Sequence, residues 1–261
     1  MNIVVLVKQV PAVSDIQIDK KNNNLVRVGA PSTLNPVDAN AIEAAIALKE
    51  AVGGTVTLVT MGTALAGEIM RGGIAVGADK GVLVSDEALA GSDTLATGKA
   101  LAKAIEKIGG ADLVLAGKRS TDGDTGQIPP TVAQRLGFSL LSYAESLEVD
   151  GNVLKGTRKN NGGLETVEVT LPAVCSVMET ANTPRQPKVR GTMKAKRAVF
   201  DVLRVEDLGL DAAEVGKAGS ATEVTELFAP EPHPVGNMIS GDSTADAVKK
   251  LVAELASKNL L

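Results

Sequence analysis

The sequence has no Trp, one Tyr (Tyr143) and three Phe (Phe138, Phe200, Phe228) in 261 residues. With so few rings, the chain offers neither a stacking platform for nucleic acid nor an aromatic sandwich for a flavin. Its net charge of −4 lacks the basic footprint that nucleic-acid binding needs. The single cysteine, Cys175, excludes an internal disulfide and a Cys-only metal site, and in "PAVCSVM" it reads as a small core residue. The single histidine, His233, sits between prolines in "PEPHP" and reads as a solvated side chain. A solvated imidazole there is a poor candidate for a general base, and no second His or further Cys is available to complete a zinc site. No apolar run approaches 18 residues, and "MNIVVLVKQV" is too short and too poor in bases for a signal peptide. The expectation is a soluble cytoplasmic protein. Neither a Walker A sequence nor a GxGxxG occurs.

What is present is an aliphatic core. Runs rich in β-branched residues, "NIVVLV" (2–7), "TVTLVT" (55–60), "KGVLVS" (80–85) and "ADLVLAG" (111–117), mark strands buried on both faces. Between them, "PVDANAIEAAIALKEAVGG", "ALAGEIMRGGIAVGAD" and "DTLATGKALAKAIEKIGG" carry helical spacing, two of them ending on glycine pairs. Alternation at this pitch predicts an α/β fold with a doubly wound, mostly parallel, Rossmann-like sheet. After about residue 138 the pattern turns to alternating apolar and polar residues with turns at "VDGN" and "NNGG", which predicts antiparallel strands on one edge. Residues 1–181 read as an α/β domain, 182–240 as a poorly periodic arm and 241–261 as a C-terminal helix. In that helix Val248, Leu251, Val252 and Leu255 form one stripe, and Ser243 with Asp246 resembles a capping box. It either wraps a partner or folds back on its own sheet.

Ligands of such sheets bind beyond the carboxyl ends of the strands. Three loops leave those ends here: "VKQVPA", "TMGTALAGE" and "GKRSTDGDTGQIPP", with "LNPVDANA" opening the first helix. Gly62 marks a close backbone approach, and Gly117, Gly123 and Gly126 could let amides turn inward around a phosphate. Lys118 and Arg119 could offset phosphate charge, whereas Asp122 and Asp124 would repel it and should bond ribose hydroxyls or the loop's own amides. Taken alone, the loop also reads as an ordinary polar surface turn. No nucleophile has a base nearby, which favours a binding or carrier role. The stretch Arg185 to Arg197 is basic, and Val205 to Pro232 is acidic, a pairing that suits docking to a charged partner.

The blocks "VLVKQVPA", "LNPVDANAIEAAIALKE", "DLVLAGKRSTDGDTGQ", "GLETVEVTLPAV" and "GTMKAKR", in this order, resemble the β subunit of electron-transfer flavoproteins. The resemblance implies a heterodimer with an α subunit that carries the main FAD, and an adenine nucleotide in this chain. It assigns that nucleotide to Val7, Lys8, Asn35, Asp38, Met61, Gly62, Gly117, Arg119, Asp122, Gly123, Asp124, Thr125, Gly126 and Gln127. Mitochondrial-type members have a longer loop and bind AMP. The shorter "TDGDTGQIPP" resembles electron-bifurcating members with a second FAD, so FAD is favoured over AMP. Those members take electrons from NADH and pass them to a high-potential acceptor and to ferredoxin or flavodoxin. "METANTPRQPKVRGTMKAKR" corresponds to the partner-recognition loop, where Ala181 replaces a leucine that anchors in acyl-CoA dehydrogenases. The smaller side chain forgoes about 2 kcal/mol of burial, and Arg185 and Lys188 would dock a dehydrogenase by charge instead. The rival reading is a stand-alone nucleotide-binding or nucleotide-hydrolysing α/β protein.

Overall fold

The computed structural model describes residues 1–12, 18–19, 24–25, 31–226, 228 and 235–261. In chain order the elements are strands β1 (Asn2–Leu6), β2 (Gln9–Pro11), β3 (Ile18–Asp19), β4 (Asn24–Leu25) and β5 (Ser32–Leu34), then helix α1 (Pro36–Val52). Next come β6 (Thr55–Met61), α2 (Gly67–Val76), β7 (Lys80–Val84), α3 (Thr94–Lys107), β8 (Leu113–Gly117) and α4 (Ile128–Leu136). Then follow β9 (Ser139–Asp150), β10 (Val153–Asn160), β11 (Gly163–Thr170), β12 (Ala173–Val177), α5 (Val189–Lys196), β13 (Asp201–Leu203) and α6 (Thr244–Ser257).

Nine strands form one sheet in the order β11-β10-β9-β12-β8-β1-β6-β7-β13. From β9 to β13 neighbouring strands pair in parallel, while β10 is antiparallel to both β9 and β11. The alternation of strand side chains splits the core in two. Ile3, Val5, Leu58 and Leu115 face α1 and α2, meeting Ile42, Ile46, Met70 and Ile74. Val4, Leu6, Val59 and Val114 face the other way, against Leu101 and Ile105 of α3 and Val132 of α4. Each strand thus needs apolar residues at successive positions, which is why the parallel strands read as unbroken apolar runs.

Chain order locates the crevice. From β1 the chain steps through β6 to β7 on one side, then crosses with α3 to place β8 on the other side of β1. The strand order therefore reverses between β1 and β8. The loops after these two strands flank the switch point where ligands of open α/β sheets bind.

The arm region contributes more order than its weak periodicity suggests. Arg71 of α2 donates through Nη1 to the carbonyls of Ala195 and Ala198, both at 2.9 Å, and its guanidinium lies 5.3 Å from the Phe200 ring centroid. These contacts cap α5 and direct the chain into β13, which pairs with β7. The chain forms two compact units, Met1–Thr225 and Glu226–Leu261. In the second, Ser243 caps α6 by accepting from the Asp246 amide at 3.2 Å, while the Asp246 carboxylate accepts from the Asp242 amide. Val248, Leu251 and Val252 are exposed on that helix. No helix among the described residues is long and apolar enough to cross a membrane. His233 lies outside the described residues.

Candidate functional site

The crevice is organised around a buried polar pair at the start of α1. Asn35 and Asp38 are 1% and 5% exposed. The Asp38 carboxylate accepts from the Lys8 amide (2.8 Å), the Gly117 amide (3.1 Å) and Asn35 Nδ2 (2.9 Å). Asn35 Nδ2 also donates to the Arg119 carbonyl at 3.0 Å, and its Oδ1 accepts from the Thr121 amide at 3.2 Å. One short helix start therefore fastens the ends of β1 and β8 and the first half of the 117–127 loop. Burial pushes the Asp38 carboxyl up to about 7, against the pull of its three donors.

Close approach makes this possible. A Cβ on Gly117 would fall 2.4 Å from Asp38 Oδ1 and 2.9 Å from the Val37 carbonyl carbon, so only glycine admits the contact with α1. Val7 is buried and its amide donates to the Val59 carbonyl; Met61 ends β6 and packs partly into the core; the Gly62 amide donates to the Val84 carbonyl. Thr60 Oγ1, one position before Met61, is buried without a hydrogen-bond partner among the described residues.

The two loop acids that seemed at odds with a phosphate each hold a base. Asp122 accepts from Lys8 Nζ at 2.8 Å and its side chain is 1% exposed. Asp124 pairs with Arg119 at 2.8 Å, both side chains being about half exposed. Lys118 reaches Glu179 at 2.8 Å and draws that carboxyl below its usual range. Asp124 adopts φ 53° and Gly126 φ 63°, so the backbone turns through the left-handed region twice. The amides of Gly123, Thr125 and Gly126 make no hydrogen bond among the described residues, whereas that of Gln127 meets Thr125 Oγ1. The loop thus combines backbone donors without a partner among the described residues with one exposed ion pair of the weakly held surface kind.

The recognition segment is tied to α1. Arg185 bonds Glu43 through Nε (2.9 Å) and Glu50 through Nη1 (2.6 Å), which pulls the Glu50 carboxyl below and pushes the guanidinium above their usual ranges. Its charge is engaged within the chain. Ala181 packs partly against the core, and Lys188 is exposed at the start of α5. A groove of about 660 Å³ separates α5 from β7 and β13, lined by Val189, Met193 and Phe200 with Arg190, Lys194 and Arg197. Asn40 also belongs to this region: buried on α1, it donates to the Glu179 and Asn182 carbonyls. An asparagine among the buried positions of α1 is the signal that could have revealed it.

Comparison with known proteins gives consistent matches. Residues 23–208 match the family described as electron transfer flavoprotein domain. The chain is 38% identical to the electron transfer flavoprotein subunit beta of Thermoanaerobacterium thermosaccharolyticum over 100% of both chains. It is 38% identical, again over 100% of both, to the caffeyl-CoA reductase-Etf complex subunit CarD of Acetobacterium woodii. With protein FixA of Azorhizobium caulinodans it shares 38% identity over 98% of this chain and 94% of the relative.

Proposed function

The chain belongs to the electron transfer flavoprotein family as a β subunit, and from that premise we propose that it holds an adenine nucleotide on the 117–127 loop while paired with an α subunit. Electron transport is the family's work, and its β subunits pair with α subunits. The observation that supports the nucleotide is the turn itself: amides of Gly123, Thr125 and Gly126 with no partner among the described residues, beside the β1–β8 switch point. Gly126 suits the turn through its φ of 63°, a left-handed conformation that a side chain would strain. These residues fit the phosphate portion of a nucleotide.

Each side chain then has a definite task. Asn35 and Asp38 fix the loop's entry and do not themselves need to touch the ligand. Lys8 stays with the buried Asp122 and holds the middle of the turn. Arg119 exchanges the exposed Asp124 for a phosphate oxygen, trading a weak surface pair for a charge-assisted contact. The short loop favours FAD over AMP, and a bound flavin would supply one- and two-electron redox chemistry that no side chain here can. On this reading the heterodimer takes electrons from NADH and bifurcates them, with ferredoxin or flavodoxin as one acceptor. The Val189–Met193 face and its flanking bases serve a dehydrogenase. The exposed stripe of α6 serves the α subunit.

Two measurements on the purified heterodimer test this. A denatured extract should contain two FAD per heterodimer; one FAD plus AMP would overturn FAD and bifurcation but keep the nucleotide site. Arg119→Gln should weaken nucleotide binding about tenfold while leaving the unfolding midpoint unchanged. Unaltered binding would remove Arg119 from the site.

A further inference from the structure

The chain's only tyrosine lies in a strained position facing the loop. In the β9–β12 pairing Cys175 is opposite Leu141 and Val177 is opposite Ala144, so Ser142 and Tyr143 together face Ser176. This β-bulge sits at the carboxyl end of β12, the same edge of the sheet as the crevice. Tyr143 takes φ 61°, a left-handed conformation that is costly for a bulky residue. Its amide donates to the buried Ser176 Oγ at 2.8 Å, which holds the bulge in place. Bulges of this kind re-aim a side chain. Here the phenol is swung to the 117–127 loop: Tyr143 Oη lies 3.4 Å from where a Gly126 Cβ would be, and the side chain is half exposed.

The neighbouring helix explains why a hydroxyl is useful there. A helix start normally offers several unpaired amides to an anion. In α4 the residues after Ile128 are Pro129 and Pro130, which have no N–H, and the Thr131 amide is bonded to the Gln127 carbonyl. The first turn of α4 is therefore poor in free donors.

We propose that Tyr143 is a ligand-contacting residue of the nucleotide site, its hydroxyl donating to a phosphate oxygen at Gly126 in place of the amides that the two prolines remove. The inference rests on the nucleotide reading above and adds to it a residue outside the 117–127 loop. The bulge and Ser176 are the devices that aim it. The chain's poverty in rings makes the position more telling, because this ring is not part of either core cluster.

The test uses the full chain purified with its α subunit and stripped of bound nucleotide, with AMP as the calorimetric probe. Tyr143→Phe keeps ring and bulge and removes only the hydroxyl; Arg119→Gln is the companion variant in the loop. The expected result is AMP affinity lowered about tenfold in Tyr143→Phe, with the thermal midpoint of the stripped protein unchanged. Wild-type affinity in Tyr143→Phe alongside weakened binding in Arg119→Gln would overturn the role of Tyr143 and leave the nucleotide site standing. Wild-type affinity in both variants would overturn the nucleotide reading and this inference with it. A lowered midpoint with unchanged affinity would make Tyr143 structural only, and would also overturn the proposal.

Discussion

At the scale of single residues, Asp38 and Thr60 make opposite predictions. The folded Asp38 carboxyl is raised to about 7 from an unfolded value of 3.8. Between those values the folded state holds more protons than the unfolded one, so stability from this group is greatest below about pH 4 and is lost as pH rises through 7. Urea unfolding from pH 4 to 8 should show this slope in the wild type and its absence in Asp38→Asn. A slope of equal size in the variant would assign it to another group. Thr60→Val replaces a buried hydroxyl that has no partner among the described residues with a methyl of similar volume. It should raise stability by about 1 kcal/mol, read as a higher urea midpoint; a lower midpoint would show that the hydroxyl is used. Residues of this kind were only half legible in the sequence. The segment "LNPVDANA" stood out as opening a helix and the resemblance named Asn35 and Asp38 in it, but their partners, Lys8, Gly117, Arg119 and Thr121, come from two other strand ends. No local spacing announces such pairings.

Elements were read more easily. The unbroken β-branched runs identified β1, β6, β7 and β8, because a strand covered on both faces has no polar position to interrupt it. Hairpins at Gly151 and Asn161 followed from their turn residues. Helix α5 and strand β13 escaped notice, being eight and three residues long and held by Arg71 and Phe200 rather than by an apolar period. Two predictions belong here. Gly117→Ala would force a Cβ into Asp38 and the α1 backbone, and should cost about 2 to 3 kcal/mol, measured by chemical denaturation; a neutral result would mean that α1 yields freely. Arg185→Ala removes the fastening of the recognition segment to Glu43 and Glu50. Because these groups are partly exposed, the loss should be only about 1 kcal/mol. Proteolysis between residues 179 and 188 should nevertheless quicken, and unchanged cleavage would show the ion pairs to be incidental.

At the scale of the molecule, the order β8-β1-β6 decides where a ligand can lie, and everything distinctive about the loop gathers there. The sequence suggested a sheet and a polar turn, and family resemblance supplied the ligand. Only the folded chain shows that one acid of the turn pairs with Lys8 after β1 and the other with Arg119, while several of the turn's amides stay unpaired among the described residues. The C-terminal unit, with its exposed stripe on α6, is legible as an amphipathic helix from spacing alone. The most direct measurement is a crystal structure of the purified αβ heterodimer with its native nucleotide content. The prediction is an adenine nucleotide whose phosphate oxygens lie about 3 Å from the amides of Gly123, Thr125 or Gly126. A well-ordered loop facing solvent, with no nucleotide beside it, would contradict the proposed function.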